Sequence, residues 1–270
     1  MTHSASDLPI YKNPPVDEVV IGVQFDPIPG FYDVHTGLFW QRVREDYPKV
    51  EDQPRLPDLP IESLDSPVGL IQVQLPLATP HGRIWLASES DEYLIQIQNN
   101  RFLHNWRKRQ ADYPRFATLR QLFWNHYGQF KDLMVAEGLS PPRVQQVELS
   151  YINWIPNISM VELLRLAQAT RLSVPGLSAE PQEQTWLARY FLKNDSDAVA
   201  RIYVQCTPAL KIQDPNARGI QLSLVFRAAR ASGVNDEEVN SLVTVGREAL
   251  VRTFTELTTE TAQQSWDRIR

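Results

Sequence analysis

The order of periodic patterns along this 270-residue chain constrains its fold most strongly, because the same order occurs twice. Apolar and polar residues alternate over 19–25 and again over 144–155, which is typical of strands with one buried side. Each run is followed by a short helical pattern, several further strand patterns and a long amphipathic helix, at 114–137 and at 236–258. Strands linked by short turns pair antiparallel, so the sequence predicts an α+β fold with helices on one side of a sheet.

The repeated order predicts two tandem units, 17–138 and 143–259, each made of a strand, a helix, antiparallel strands and a long helix. Near-equal length and equal element order are typical of an internal duplication. If the two units join side by side, they share one continuous sheet. Such a unit resembles, at the level of the fold, the repeat of TATA-binding-protein-like and helix-grip proteins, and this resemblance implies no function.

Shorter elements are predicted between the first strand and the long helix of each unit. Helical spacing predicts helices over 35–47 and 160–170. Five prolines in 48–67 predict an extended surface segment with little regular structure. Asn99 and Asn100 predict a tight hairpin, because Asn tolerates positive φ. Strand patterns occupy 68–75, 82–88, 92–98, 101–107, 184–193, 197–206 and 219–229.

Composition and charge exclude several classes of protein. One cysteine, Cys206, excludes an internal disulfide framework and a multi-cysteine metal site. Its place at the end of an alternating run predicts a buried thiol. The net charge of −5 does not favour general affinity for nucleic acid. The sequence shows no signal-peptide pattern and no long apolar window, which predicts a cytoplasmic protein without membrane spans.

A basic segment at 101–120 departs from this acidic average, since it carries six basic residues and one acidic residue. Aromatic residues lie between the bases, and this mixture suits phosphate contact with base stacking. Ordinary exposure of Lys and Arg at strand ends and turns is the simpler interpretation, and an acidic protein partner is another. Further arginines lie on the polar sides of predicted strands, where rigid placement suits bidentate recognition of anions. A merely solvated sheet face is the alternative there.

The leading hypothesis is a binding protein without catalytic residues, cofactor or metal. Its partner would be an anion, such as nucleic acid or a nucleotide, or a protein. Arginines would pair with phosphate or carboxylate groups, and aromatic rings would stack on the partner or anchor it. The predicted binding residues are Arg101, Asn105, Trp106, Arg107, Tyr113, Arg115, Arg189, Arg201 and Arg227.

An enzyme is the alternative hypothesis, although the sequence has no phosphate-binding glycine loop, nucleophile elbow or metal-binding histidine pair. It would act on a small anionic substrate in a cavity between sheet and helix. The first candidate residues are His104, Glu148, Tyr151 and Asn153. For His104 the simpler interpretation is a half-buried imidazole on an apolar strand face. A purely structural subunit is the third possibility.

Four short motifs carry a resemblance to a family. They are PPVDEVVIGVQF at 14–25, NRFLHNWR at 100–107, YPRF at 113–116 and YIN at 151–153. With these motifs the chain, from residue 9 to about residue 257, resembles a sporadically distributed prokaryotic protein family with no established activity. The resemblance implies a bacterial cytosolic protein and assigns no catalytic residue. The patchy distribution of the family favours a role in defence or in neutralising a toxin.

Overall fold

Nine strands and six helices make up the described part of the chain. The computed structural model describes residues 8–58, 60–65, 82–169, 184–192, 198–211 and 214–270. The strands are β1 (Val16–Phe25), β2 (Lys49–Gln53), β3 (Arg83–Ala87), β4 (Tyr93–Gln98), β5 (Arg101–Arg107), β6 (Val144–Pro156), β7 (Trp186–Leu192), β8 (Val199–Lys211) and β9 (Asp214–Val234). The helices are α1 (Asp33–Val43), α2 (Phe116–Ala136), α3 (Met160–Leu163), α4 (Arg165–Ala169), α5 (Asp236–Leu257) and α6 (Glu260–Ser265).

All nine strands belong to one antiparallel sheet, with the order β2-β3-β4-β5-β1-β6-β9-β8-β7. The first strands of the two predicted units, β1 and β6, are neighbours at the centre, with Ile21 opposite Leu149. The last strand of each unit, β5 or β9, flanks this central pair. The sheet is therefore continuous across 17–138 and 143–259, while the division into two units and their duplication stay predictions.

The alternating apolar residues decide which side of the sheet the long helices cover. Val19, Ile21 and Val23 are each 1% exposed and belong to the core shared with α2 and α5. The ring of Phe102 on β5 lies 5.3 Å from that of Phe130 on α2. Burial of such apolar surface stabilises the fold by roughly 25 cal/mol per Å². The opposite side of the sheet carries the polar residues of the alternation.

A close approach between α5 and β9 depends on one glycine. A Cβ atom on Gly246 would lie 2.5 Å from the Cδ1 atom of Phe226, whose ring is fully buried. Real carbon atoms do not approach this closely, so the side chain of any other residue would push the helix or the ring away. Gly246 therefore sets the distance between this helix and the sheet.

The structure differs from the predicted elements at three places. A strand, β2, occupies the start of 48–67, a segment predicted to be irregular. It is an exposed edge strand with charged residues on both faces, so it lacks the one-sided apolar pattern of a buried strand. The predicted helix over 160–170 is broken where Leu164 adopts extended backbone and pairs with Thr258. Helix α6 was not predicted, and the predicted strand over 68–75 lies outside the described residues.

The two ends of the described chain lie side by side next to α5. The N–H of Ile269 donates to the carbonyl of Ile10 at 2.8 Å, and the N–H of Lys12 donates to that of Asp267 at 3.0 Å. The ring of Tyr11 packs edge-on against Phe254 at 5.5 Å. Residues 8–14 are thereby fixed as one wall of a cleft described below.

Candidate functional site

Six of the nine predicted binding residues lie on the side of the sheet away from α2 and α5, which we call the open face. Residues two apart in a strand point to the same side, so Arg101 and Arg107 share the side opposite to buried Phe102 and Trp106. The same alternation applies on β7, β8 and β9. The six residues are Arg101, Asn105, Arg107, Arg189, Arg201 and Arg227.

The strand register aligns the open face into a row that crosses six strands. The paired positions are Leu103, Gly22, Glu148, Arg227, Arg201 and Phe191, from β5 to β7. Arg227 and Arg201 are direct neighbours in this row, and like charges directly opposite each other destabilise a sheet. Each of the two arginines therefore needs an acidic partner.

Arg227 has its partner within the sheet. Its Nε donates to the Glu148 carboxylate at 2.8 Å, and its guanidinium lies 5.0 Å from the ring centre of Tyr203. Burial disfavours the charged form of Arg227, but the Glu148 carboxylate together with Tyr203 and Glu62 outweighs this effect and raises the pKa of Arg227. Glu148 is therefore the acidic partner of Arg227.

Arg201 has its partner in a segment that crosses the open face, residues 54–58 and 60–65, which we call the strap. The Glu62 carboxylate accepts hydrogen bonds from Arg201 and Tyr203 and lies 3.6 Å from Arg189. Only 3% of the Glu62 side chain is exposed. A carboxylate this deeply buried needs several donors, because desolvation of an unpaired charge costs several kcal/mol. Arg201 and Tyr203 on β8 supply two donors, and Arg189 on β7 adds a second positive charge.

The strap backbone is also bound by side chains of the open face. The Gln98 carboxamide accepts from the Leu56 N–H at 2.9 Å and donates to the Leu56 carbonyl at 3.3 Å. Arg101 donates to the Pro57 carbonyl at 2.7 Å, and the Gln146 carboxamide accepts from the Glu62 N–H at 2.9 Å. The sheet therefore holds the strap as an extended peptide. It binds main-chain groups of the strap and the carboxylate of Glu62.

The two remaining open-face candidates, Asn105 and Arg107, lie on β5, in the half of the sheet that belongs to 17–138. The Asn105 carboxamide donates to Glu18 at 2.6 Å and accepts from Gln96 at 2.9 Å, so its polar groups are used inside the sheet. The Arg107 guanidinium lies 5.4 Å from the ring centre of Trp85, and Arg83 lies 5.3 Å from it. These stacked groups are partly exposed and extend the basic surface beyond the strap.

Three predicted binding residues lie on the helix side instead. Trp106 is 1% exposed and its ring packs 5.5 Å from that of Tyr113, so it belongs to the core and does not contribute to the open face. Tyr113 and Arg115 line a cleft of about 120 Å³ between the N-terminal segment, the start of α2 and helix α5. Tyr151 also lines this cleft. The basic segment 101–120 is thus divided between two sides of the sheet.

The geometry separates His104 and Glu148, two of the four candidate residues of the enzyme hypothesis. His104 lies on the helix side, where its ring stacks on that of His126 at 5.2 Å and its Nε2 bonds to the Tyr47 hydroxyl at 3.0 Å. Glu148 lies on the open face. Burial lowers the pKa of His104 to about 3, and the second imidazole adds to this effect. His104 is therefore a neutral core residue.

Sequence patterns did not reveal the strap contacts. Glu62 lies in a proline-rich segment without periodicity, and its partners are more than 80 residues away in the chain. The sequence feature that points towards these contacts is the position of Gln98 and Gln146 on the polar sides of predicted strands. Arg247, which also lines the helix-side cleft, stands apart from every motif singled out in the sequence.

The described residues contain no cluster of three or more His, Cys, Asp or Glu side chains suited to a metal ion. In the same ranges, every helix is too short or too polar to cross a membrane. Comparison with protein-family models, with curated proteins and with solved structures found no match. The resemblance to a prokaryotic family therefore stays a prediction.

Proposed function

We propose that this protein is a binding protein whose open face binds an extended acidic segment of a protein partner. In the absence of the partner, the strap occupies this place. The observation that carries the proposal is the Glu62 carboxylate, which two arginines and one tyrosine surround on the open face. Arginine-rich surfaces of this kind recognise carboxylates through charge-assisted hydrogen bonds.

The contacts of the strap favour a peptide over a nucleic acid. Gln98, Gln146 and Arg101 bond to N–H and C=O groups of a main chain, which nucleic acid does not have. Nucleic-acid binding would instead use exposed arginines and stacking rings. Trp106, the ring predicted to stack in this segment, faces the helices and is 1% exposed. A protein partner with an acidic, extended segment thus fits the open face better.

Competition with the strap sets the affinity that a partner needs. The strap is tethered to β2, and short tethers give effective concentrations of roughly millimolar order. A partner in solution must therefore bind considerably more tightly than the strap does, or the strap must be weakened.

The architecture proposed for this face is a saddle formed by two related halves. The side-by-side position of β1 and β6, each the first strand of a strand–helix–strands–helix run, supports the predicted internal duplication and its TATA-binding-protein-like arrangement. A bacterial cytosolic setting, in defence or in neutralising a toxin, stays an expectation from the resemblance.

A synthetic peptide of residues 54–65 tests the proposed function in trans. We expect a fluorescently labelled peptide to bind a Glu62→Gln protein about tenfold or more tightly than the unchanged protein, because the weakened strap vacates the face. A peptide with Gln in place of its Glu62 should lose most of this affinity. The matched control is Asp65→Asn, which changes an exposed carboxylate at the end of the strap.

Three results of this titration would reject the proposal. They are the absence of peptide binding to Glu62→Gln, equal binding to both proteins, and equal binding of the two peptides. A labelled single-stranded oligonucleotide is titrated in parallel. Binding of the oligonucleotide with a salt slope of roughly −0.7 per phosphate contacted, and no peptide binding, would assign the face to nucleic acid instead.

A further inference from the structure

The helix-side cleft has an apolar interior that remains open in the folded protein. Its walls come from Ile10 in the N-terminal segment, Phe116 at the start of α2, Leu224 on β9, and Leu250 and Phe254 on α5. Its volume is about 120 Å³. An engineered protein cavity of about 150 Å³ lined by similar side chains binds benzene; this cleft is somewhat smaller but open to solvent on one side, so it holds at most one ring.

Two guanidinium groups lie at the same cleft. Arg115 donates to the Tyr11 carbonyl at 3.1 Å. Arg247 lies 5.2 Å from the ring centre of Phe116 and beside the Tyr151 hydroxyl. None of these three partners carries a negative charge, so these contacts neutralise neither guanidinium group.

The backbone at Arg115 adds an independent observation. Its φ is 74°, in a region that costs a non-glycine residue about 1 kcal/mol or more. Strained residues of this kind occur at sites where the direction of a side chain matters. This strained residue carries one of the two guanidinium groups at the cleft.

Two tyrosine hydroxyls complete the polar side of the cleft. The hydroxyls of Tyr113 and Tyr151 lie 3.2 Å apart, and this contact uses one of their two protons. Burial raises the pKa of both tyrosines, so both hydroxyls stay protonated at neutral pH. One O–H therefore remains as a donor for a bound acceptor. Two cations and a hydroxyl donor at the end of an apolar space match an anion attached to an apolar body.

The geometry points to a binding site for a small organic carboxylate in this cleft, with Arg115 and Arg247 at its anionic head and the apolar walls around its ring. The ligand class is an aromatic or similarly compact body, about the size of benzene, with one carboxylate on a short linker. This site is separate from the open face and does not depend on the partner proposed there.

Calorimetric titration with 3-phenylpropionate and with its uncharged analogue 3-phenylpropan-1-ol tests the site. We expect the carboxylate to bind about tenfold or more tightly than the alcohol, since hydrogen bonds to charged groups are about twice as strong as neutral ones. The variants Arg247→Gln and Arg115→Gln should each lower the affinity for the carboxylate by about tenfold and leave the affinity for the alcohol unchanged. The control is Arg143→Gln, an arginine with 69% of its side chain exposed.

The outcomes separate this site from the open face and from misfolding. Leu250→Trp should fill the cleft and abolish binding of both compounds, with the circular dichroism spectrum showing that each variant is folded. The strap peptide should leave the affinity for 3-phenylpropionate unchanged. Equal affinities for carboxylate and alcohol, no binding of either, or unchanged affinity in both arginine variants would overturn the inference.

Discussion

The buried pair His104 and His126 predicts a measurable loss of stability in mild acid. The two rings stack at 5.2 Å with an 8° angle between them, and Tyr47 is the hydrogen-bond partner of His104. Burial, with the second imidazole, lowers the pKa of His104 to about 3, against 6.5 in the unfolded chain. Burial also lowers the pKa of His126. Below pH 6.5 the unfolded chain therefore binds protons that the folded chain does not.

The size of the effect follows from this difference. A histidine with a lowered folded-state pKa contributes its full stability above the unfolded pKa and loses it as the pH falls. Each pH unit below 6.5 costs about 1.4 kcal/mol per proton, so His104 alone lowers the free energy of unfolding by about 2 kcal/mol between pH 7 and pH 5. His126 changes the stability in the same direction.

Urea unfolding at both pH values, followed by tryptophan fluorescence, measures this loss. In His104→Phe the loss between pH 7 and pH 5 should be smaller by about 2 kcal/mol, because the ring that must stay neutral is gone. The variant also loses the hydrogen bond to Tyr47. This loss lowers the free energy of unfolding equally at both pH values, so it cancels in the difference between pH 7 and pH 5. Identical pH dependence in His104→Phe would refute the reasoning.

Two further perturbations test the packing of the core. Gly246→Ala should lower the free energy of unfolding by about 1–2 kcal/mol, since crowding against the Phe226 ring outweighs a helix-propensity gain of about 1 kcal/mol. In a Phe226→Leu background the crowding ring is absent, so Gly246→Ala should raise the free energy of unfolding. A lower free energy of unfolding in that background would contradict this packing. Cys206 is fully buried, and burial raises the pKa of its thiol to about 12. Iodoacetamide should therefore label Cys206 in urea and not in buffer, as read by mass spectrometry, and labelling of the folded protein within minutes would contradict its burial.

Local patterns were sufficient to predict most of the sheet. Alternation over 19–25 and 144–155 predicts β1 and β6. One side of each strand packs on helices, so every second residue of the strand is apolar. The hairpin at Asn99 and Asn100 was likewise predicted, and Gln98 opposite Arg101 in the register confirms it. The edge strand β2 was missed because neither of its faces is buried.

The candidate sites were harder to predict because they combine distant parts of the chain. Arg101, Arg201 and Arg227 were placed on one face by strand alternation, which the register supports. Nothing local indicates that Glu62, 139 residues from Arg201, neutralises that face. The basic segment 101–120 was treated as one surface, but its strand part and its helix-start part lie on different sides of the sheet. A pattern along the chain gives the face of a residue and not its long-range partner.

Amide hydrogen exchange in the strap tests the central claim, that this segment is a removable occupant of the open face. The N–H groups of Leu56 and Glu62 donate to Gln98 and Gln146, so they should be protected in the unchanged protein. In Glu62→Gln we predict exchange about tenfold or more faster at both amides, with unchanged protection of the central strands β1 and β6. Unchanged protection of the strap, or equal loss of protection in the central strands, would contradict the claim.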